Sequence, residues 1–297
     1  MSNEVGITLT PKIAGGRIGR TPVGSTLRES TMGERITVST LQKKKERGEK
    51  IVMITCYDYP SARLLDESGA DLLLVGDSLG DNVLGYQNTV PVTLDEMIHH
   101  SKAVQRGACK AMVLADMPFL SYQISPDKAL ENAGRLMKEA GVAAVKIEGG
   151  ESMAPTIYKL VSAGVAVMGH VGFTPQSVNV FGGYKTQGRS EDTAARIIAD
   201  ARAVAESGAF AMVLELVPAE LAKTISAKVP IPTIGIGAGP HCDGQVQVFH
   251  DLFGLYPDKS FRHSKRYSEA GLAILDGAKQ FVEEVRNGQF PTSDNSY

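Results

Sequence analysis

The sequence predicts an α/β protein folded as a single (β/α)8 barrel, the TIM-barrel architecture, and three observations lead there. Short runs rich in Val, Ile, Leu and Met alternate with longer segments of helical period, the pattern that builds a parallel sheet. One helix-to-strand junction recurs, in which a helix end meets a Gly and then small or apolar residues. A chain of 297 residues also suits one barrel with its loops and a terminal arm.

Taken in order, residues 1–35 mix Gly, Thr, Ser and Arg without hydrophobic period and are expected to form a flexible N-terminal arm. Residues 36–297 are expected to be the barrel domain, closing helix included. Its candidate strands are IVMIT (51–55), LLLVG (72–76), AMVLA (111–115), AAVKI (143–147), VAVMG (165–169), FAMVL (210–214) and PTIGI (232–236), with VFHDLF (248–253) as the eighth. In ESGADLLLV, KEAGVAAVK, VSAGVAVMG and AESGAFAMV the Gly suits the left-handed residue just past a helix end. An open, doubly wound sheet would use the same units and stays as the alternative.

Among the helices, VTLDEMIHHSKAV begins with a Thr cap followed by acids, and SPDKALENAGRLMKEAG has Ser125 as cap before Pro126. SEDTAARIIADARAVAESG is amphipathic throughout, and SEAGLAILDGAKQFVEEVRNG ends the chain against the barrel or against a neighbouring subunit.

Composition narrows the function classes. With 31 basic and 33 acidic residues the net charge is -2, so no basic surface for nucleic acid is expected, and no apolar run is long enough to span a bilayer. Cys56, Cys109 and Cys242 are odd in number and form no CxxC pair, which argues against a disulfide framework and for a reducing, cytoplasmic setting. Four arginines in the arm leave organelle import open.

In an α/β barrel the chemistry gathers at the C-terminal ends of the strands, and here those ends are acidic. The second strand runs into Asp77 and Ser78, the third into Asp116, the fourth carries Lys146 and Glu148, and the sixth ends in Glu215. Any one such Asp reads equally as a cap for the next helix. Four carboxylates at one barrel mouth would repel one another unless a cation sat among them.

Lys146 and Glu148 lie two apart, so both face the barrel interior or both face the helices; a self-contained ion pair at the rim is the plainer alternative. Glu215 sits among apolar neighbours in FAMVLELVP, where a poorly solvated carboxylate becomes a better base toward carbon, although a bond to a backbone amide would account for it too. His170, in GHVGFTPQ, is read either as a substrate-binding residue or as a buried hydrogen-bonding group. GIGAGP (235–240) fits a phosphate cradle or close packing, and FGGYKTQG (181–188) reads as a glycine-rich lid.

Over residues 36–290 the chain resembles the ketopantoate hydroxymethyltransferase family through TCYDYPSA, LLLVGDSLG, VLADMPF, VKIEGG, GHVGFTPQ, GGYKTQG, LELVP and IPTIGIGAGPHCDGQVQV, in that family's order. The resemblance implies a barrel of the phosphoenolpyruvate/pyruvate superfamily. It implies hydroxymethyl transfer from 5,10-methylenetetrahydrofolate, the co-substrate, to 3-methyl-2-oxobutanoate, giving 2-dehydropantoate for pantothenate biosynthesis. It further implies Mg²⁺ held by Asp77, Asp116 and Glu148, substrate contacts from Asp77, Ser78, Asp116 and Lys146, Glu215 as proton acceptor, and a homo-oligomer, often a decamer.

On that reading a Mg²⁺-stabilised enolate forms when Glu215 takes the proton from C3. Two other enzyme classes are compatible with the same residues: a metal-dependent C–C lyase of the isocitrate-lyase type, and an aldolase with Lys146 as Schiff-base nucleophile. The lyases commonly use a catalytic cysteine loop, and none of Cys56, Cys109 and Cys242 sits in one. A catalytically silent barrel serving as scaffold or sensor is the non-enzymatic alternative.

Overall fold

The computed structural model describes residues 34–297, so the expected arm at 1–35 lies almost wholly outside the described residues. Glu34–Tyr297 form one compact unit. Eight parallel strands close into a barrel in sequence order, each hydrogen-bonded to the next and the last to the first. They are β1 (Ile51–Thr55), β2 (Leu72–Val75), β3 (Met112–Asp116), β4 (Ala144–Glu148), β5 (Val167–Gly172), β6 (Ala211–Glu215), β7 (Thr233–Ile236) and β8 (Gly244–Gln247).

The helices are α1 (Val38–Arg47), α2 (Tyr59–Glu67), α3 (Leu79–Asn82), α4 (Leu94–Gly107), α5 (Pro126–Arg135), α6 (Ala154–Ser162), α7 (Val178–Phe181), α8 (Glu191–Glu206), α9 (Ala219–Lys228), α10 (Phe249–Leu252) and α11 (Ala270–Arg286). The closed ring excludes the doubly wound alternative.

Local chemistry starts and stops these elements as the sequence suggests. Thr93 caps α4 in a reciprocal bond with Glu96, Ser125 caps α5, and Ser190 caps α8. Gly141 and Gly208 turn the chain into β4 and β6 at φ 77° and 95°, a conformation that any side chain would strain. One helix departs from expectation: after Arg135 the last turn of SPDKALENAGRLMKEAG widens into a π-helix over Leu136–Ala140.

The eighth strand is a correction. VFHDLF (248–253) is not a strand; it forms α10, while β8 is the preceding GQVQ, paired with β7 and β1. GQVQ carries little apolar signal because only Gly244 and Val246 are buried. Gly244 is there for proximity, since a Cβ on it would stand 2.4 Å from Ile51 O.

Two apolar layers hold the barrel. Val, Leu and Ala side chains on the outer strand faces pack against the helices, and Met53, Leu72, Leu74, Met112, Leu114, Ala144, Met168 and Val213 fill the interior. The fully buried Leu41 of α1 plugs the bottom of that interior. Lys44 and Lys45 pin α1 there through ion pairs with Asp71 (2.5 Å) and Asp243 (2.7 Å). Side chains alternate along a strand, so the positions following Leu114, Ala144, Met168 and Val213 by two also face inward. Those positions are Asp116, Lys146, His170 and Glu215, and at this level the barrel lining turns from apolar to charged.

Candidate active site

Parallel register sets the charged layer. Asp116 pairs across the ladder with Lys146, Glu148 with His170, and Gly172 with Glu215. Lys146 Nζ lies 3.0 Å from Asp116 Oδ1 and 3.2 Å from His170 Nδ1. His170 then links two acids, with Nδ1 3.5 Å from Glu148 Oε1 and Nε2 3.2 Å from Glu215 Oε2. Asp77, one step past β2, is tied in through its backbone N–H, which donates to Asp116 Oδ2 at 3.0 Å.

All the sequence-derived candidates therefore meet in one cluster except Ser78, which borders it. Ser78 Oγ is 2.9 Å from Tyr57 Oη, and Gly76 leaves the room it needs, since a Cβ there would stand 2.7 Å from that hydroxyl.

The plainer readings of Asp77, Lys146 and Glu215 do not survive the geometry, whereas His170 is indeed a buried hydrogen-bonding group. Asp77 caps no helix; its Oδ2 accepts from Gln176 Nε2 at 2.8 Å. Lys146 pairs with Asp116 of the neighbouring strand rather than with Glu148. Glu215 faces His170, and the residue after it is held in an unusual conformation: Leu216 has φ 48°, a strain on the order of 1 kcal/mol or more. Bonds from Leu216 N to Ile236 O and from Gln187 N to Leu216 O fix it. The glycines of GIGAGP serve packing, because a Cβ on Gly237 would meet Leu216 at 2.7 Å and one on Gly239 would meet Ala219 at 2.5 Å.

Gln176 and Tyr122 belong to the cluster and were not singled out from sequence. The side-chain amide of Gln176 donates to Asp77 Oδ2 and to Met117 O, while its backbone N–H donates to Glu148 Oε2 at 3.0 Å. Its orientation is set by Tyr122, whose hydroxyl donates to Gln176 Oε1 at 2.8 Å and accepts from Glu148 N at 3.0 Å. Both side chains are buried. A polar Gln closing the GHVGFTPQ stretch was the available signal. Gln176→Leu is expected to lower turnover about 10–100-fold, the usual effect of removing a group that orients an active-site carboxylate; steady-state kinetics on the folded variant would measure it.

Electrostatics in this buried layer are unbalanced. Burial, then repulsion from Asp116 and Glu148, lifts Asp77 well above the usual carboxylate range. Asp116 is raised by burial, with Lys146 opposing. Burial also works against the charge on Glu148, but His170, Lys146 and the Gln176 amide outweigh it and hold Glu148 below its ordinary value. For His170, burial and Lys146 disfavour the proton, while Glu148 and Glu215 prevail and raise it. Burial works against the charge on Lys146; Asp116, Glu148 and Asp77 outweigh it and raise the ammonium above its ordinary value. A lysine held as ammonium is a poor amine nucleophile, which removes the main support for the Schiff-base reading.

Among the described residues, no group of three or more His, Cys, Asp or Glu is arranged tightly enough to hold an ion unaided. The donor set nonetheless fits a hard divalent cation that keeps most of its waters. Asp116 Oδ1 is buried with only an ion-pair contact to the Lys146 ammonium, 3.0 Å away, and no hydrogen bond of good geometry among the described residues, and the mutual repulsion of Asp77, Asp116 and Glu148 is what a cation would relieve.

The profile of the family described as ketopantoate hydroxymethyltransferase matches residues 35–293. A 3-methyl-2-oxobutanoate hydroxymethyltransferase of Carboxydothermus hydrogenoformans is 56% identical over 264 residues, covering 89% of this chain and 96% of the relative. One of Moorella thermoacetica is 55% identical over 263 residues, covering 89% and 98%.

Among solved structures, 2,3-dimethylmalate lyase, a PEP mutase/isocitrate lyase superfamily member, aligns with TM-score 0.54 at 16% identity over 88% of this chain and 91% of its own. Phosphonopyruvate hydrolase complexed with oxalate and Mg²⁺ aligns with TM-score 0.55 at 11% identity, over 87% and 92%. These two likenesses speak to the fold alone.

Proposed function

Because the chain belongs to the ketopantoate hydroxymethyltransferase family, we propose that its charged layer carries out hydroxymethyl transfer to 3-methyl-2-oxobutanoate with 5,10-methylenetetrahydrofolate as donor and Mg²⁺ as cofactor. The observation that supports this most is the linkage of Asp77, Asp116, Lys146, Glu148, His170 and Glu215 into one buried unit at the C-terminal end of the barrel.

Asp77, Asp116 and Glu148 are the residues that would hold Mg²⁺, in part through water. When bound, the ion supplies a Lewis acid for the negative charge that develops on the 2-oxo group. The ammonium of Lys146, fixed by Asp116 and His170, meets substrate carboxylate or enolate oxygen. Ser78, beside Asp77 and oriented by Tyr57, supplies a further hydrogen bond to substrate.

Glu215 takes the proton from C3, and His170 holds its carboxylate in position at 3.2 Å. Over the whole reaction the C–H bond at C3 and both C–N bonds of the donor's methylene carbon are broken, a C–C and a C–O bond to that carbon are made with water supplying the hydroxyl oxygen, and tetrahydrofolate leaves with the C3 proton and one proton of the water on its two nitrogens.

The protein also works as a cytoplasmic homo-oligomer in this reading, in keeping with the decamers of the family. No residue of α11 is buried, and Ile274, Leu275, Phe281 and Val282 lie exposed along it, an apolar face of the kind that subunits cover. No helix among the described residues is long and apolar enough to cross a membrane.

Turnover of 3-methyl-2-oxobutanoate tests the proposal directly. Product should form only with methylenetetrahydrofolate present, and EDTA should abolish it until Mg²⁺ is restored. Turnover that persists in excess chelator removes the metal from the proposal, and turnover without the folate removes the donor.

A further inference from the structure

Tyr184 is an aromatic residue that the barrel core does not need. It stands in the glycine-rich segment 181–188, 60% exposed. Its ring leans on Phe173, the fully buried residue that follows β5, with centroids 4.8 Å apart and planes at 36°. Phe181 supports the same Phe173 from 5.5 Å. One face of Tyr184 is thus covered while much of the ring stays open.

The backbone puts the ring in that place deliberately. Gly182 and Gly183, at φ 62° and 106°, reverse the chain so that it returns toward Phe173, a path closed to bulkier residues. At the far end Gln187 N donates to the carbonyl of Leu216, at 2.8 Å, next to Glu215. The segment is therefore fastened at the ends of both β5 and β6, flanking the proposed base. Its hydroxyl responds to the same end of the barrel: burial first, then the fields of Asp81, Glu215, Asp77 and Glu148, push the Tyr184 phenol up to about 12. A ring that is accessible, packed on the residue after β5 and fastened beside the end of β6 stands on the rim of the barrel mouth. Lys185, the next residue, is exposed on the same segment with its ammonium near Gly182.

We propose that the open face of Tyr184 is the platform on which the flat pyrimidinone or aryl ring of the one-carbon donor stacks, with Lys185 meeting the donor's carboxylate tail. This rests on the folate reading above and gives that donor a place. Stacking against an aromatic already braced from behind loses little conformational freedom on binding. It would also bring the donor's methylene carbon in from the rim, toward the face of the substrate that Glu215 deprotonates.

The experiment compares two readouts in the full-length protein with Mg²⁺. The KM for methylenetetrahydrofolate reports the donor, whereas deuterium exchange at C3 of 3-methyl-2-oxobutanoate needs no donor. Tyr184→Ala is expected to raise the donor KM about tenfold while exchange continues, and Tyr184→Phe, which keeps the ring, should restore most of the donor affinity. Lys185→Gln should weaken the donor about threefold, in a salt-dependent way.

A donor KM unchanged in Tyr184→Ala overturns the platform, as does loss of exchange in parallel with loss of turnover, because the ring would then serve the mouth as a whole. If the unaltered protein does not use the folate at all, the functional reading fails instead, and the two failures are told apart.

Discussion

Glu215→Gln is expected to abolish deuterium exchange at C3 of 3-methyl-2-oxobutanoate while leaving substrate binding in place. Glutamine keeps the shape of the side chain and can still bond to His170, but it cannot accept a proton from carbon. General-base catalysis contributes about 10²–10⁴-fold to rate, so turnover should fall by at least that factor. Exchange followed by proton NMR in D2O, with binding measured separately by calorimetry, distinguishes the outcomes. Exchange at the unaltered rate would assign the base elsewhere, and His170, 3.2 Å away, would be next in line.

The second large effect is expected from Lys146→Met, in stability as well as rate. Lys146 is buried among Asp116, Glu148 and Asp77, and methionine retains most of its volume without the charge. Asp116 Oδ1, which makes no other close polar contact among the described residues, would lose the ammonium 3.0 Å away. Removing one partner of a buried ion pair typically destabilises by about 3–5 kcal/mol, a large share of a domain's stability. Urea unfolding in EDTA reads the effect free of any metal, and the loss should lessen with Mg²⁺ added if a cation takes over part of the charge. A variant as stable as its parent in EDTA would mean that Asp116 is protonated when the metal is absent, so that no ion pair is there to lose.

These two residues also show how the sequence was legible. Glu215 and Lys146 were found because a charged residue inside an apolar strand pattern has no ordinary structural use. The repeated Gly junction marked four of the strands, those that follow Gly69, Gly141, Gly164 and Gly208, since a left-handed residue after a helix leaves a mark in sequence, and apolar runs marked three more. The eighth strand left none: GQVQ is short and half polar, and its pairing with β1 and β7 comes from barrel closure, which is a property of the whole ring. VFHDLF drew attention by its hydrophobicity, yet those residues cover the barrel as α10.

Gln176 and Tyr122 escaped for a different reason. Neither is charged, and a Gln or Tyr on a loop reads as ordinary surface until it is known to be buried. Their importance lies in what they touch. Gln176 reaches Asp77 from 99 positions away in the chain, and Tyr122 reaches Gln176 from 54; no local pattern encodes such distances.

By itself, the sequence determined the alternation of strand and helix, the end of the barrel at which acids gather, and the family to which the chain belongs. All of these follow from residue order along one dimension, through period, junction and motif. Tertiary structure alone decided that Lys146 and Glu148 face inward, that Lys146 pairs with Asp116, and that one Gln couples two carboxylates. The physical reason is that a strand offers each side chain two faces of equal local merit, and only ring closure makes one of them the interior. Partners across that interior are then chosen by register and burial, which no single segment contains.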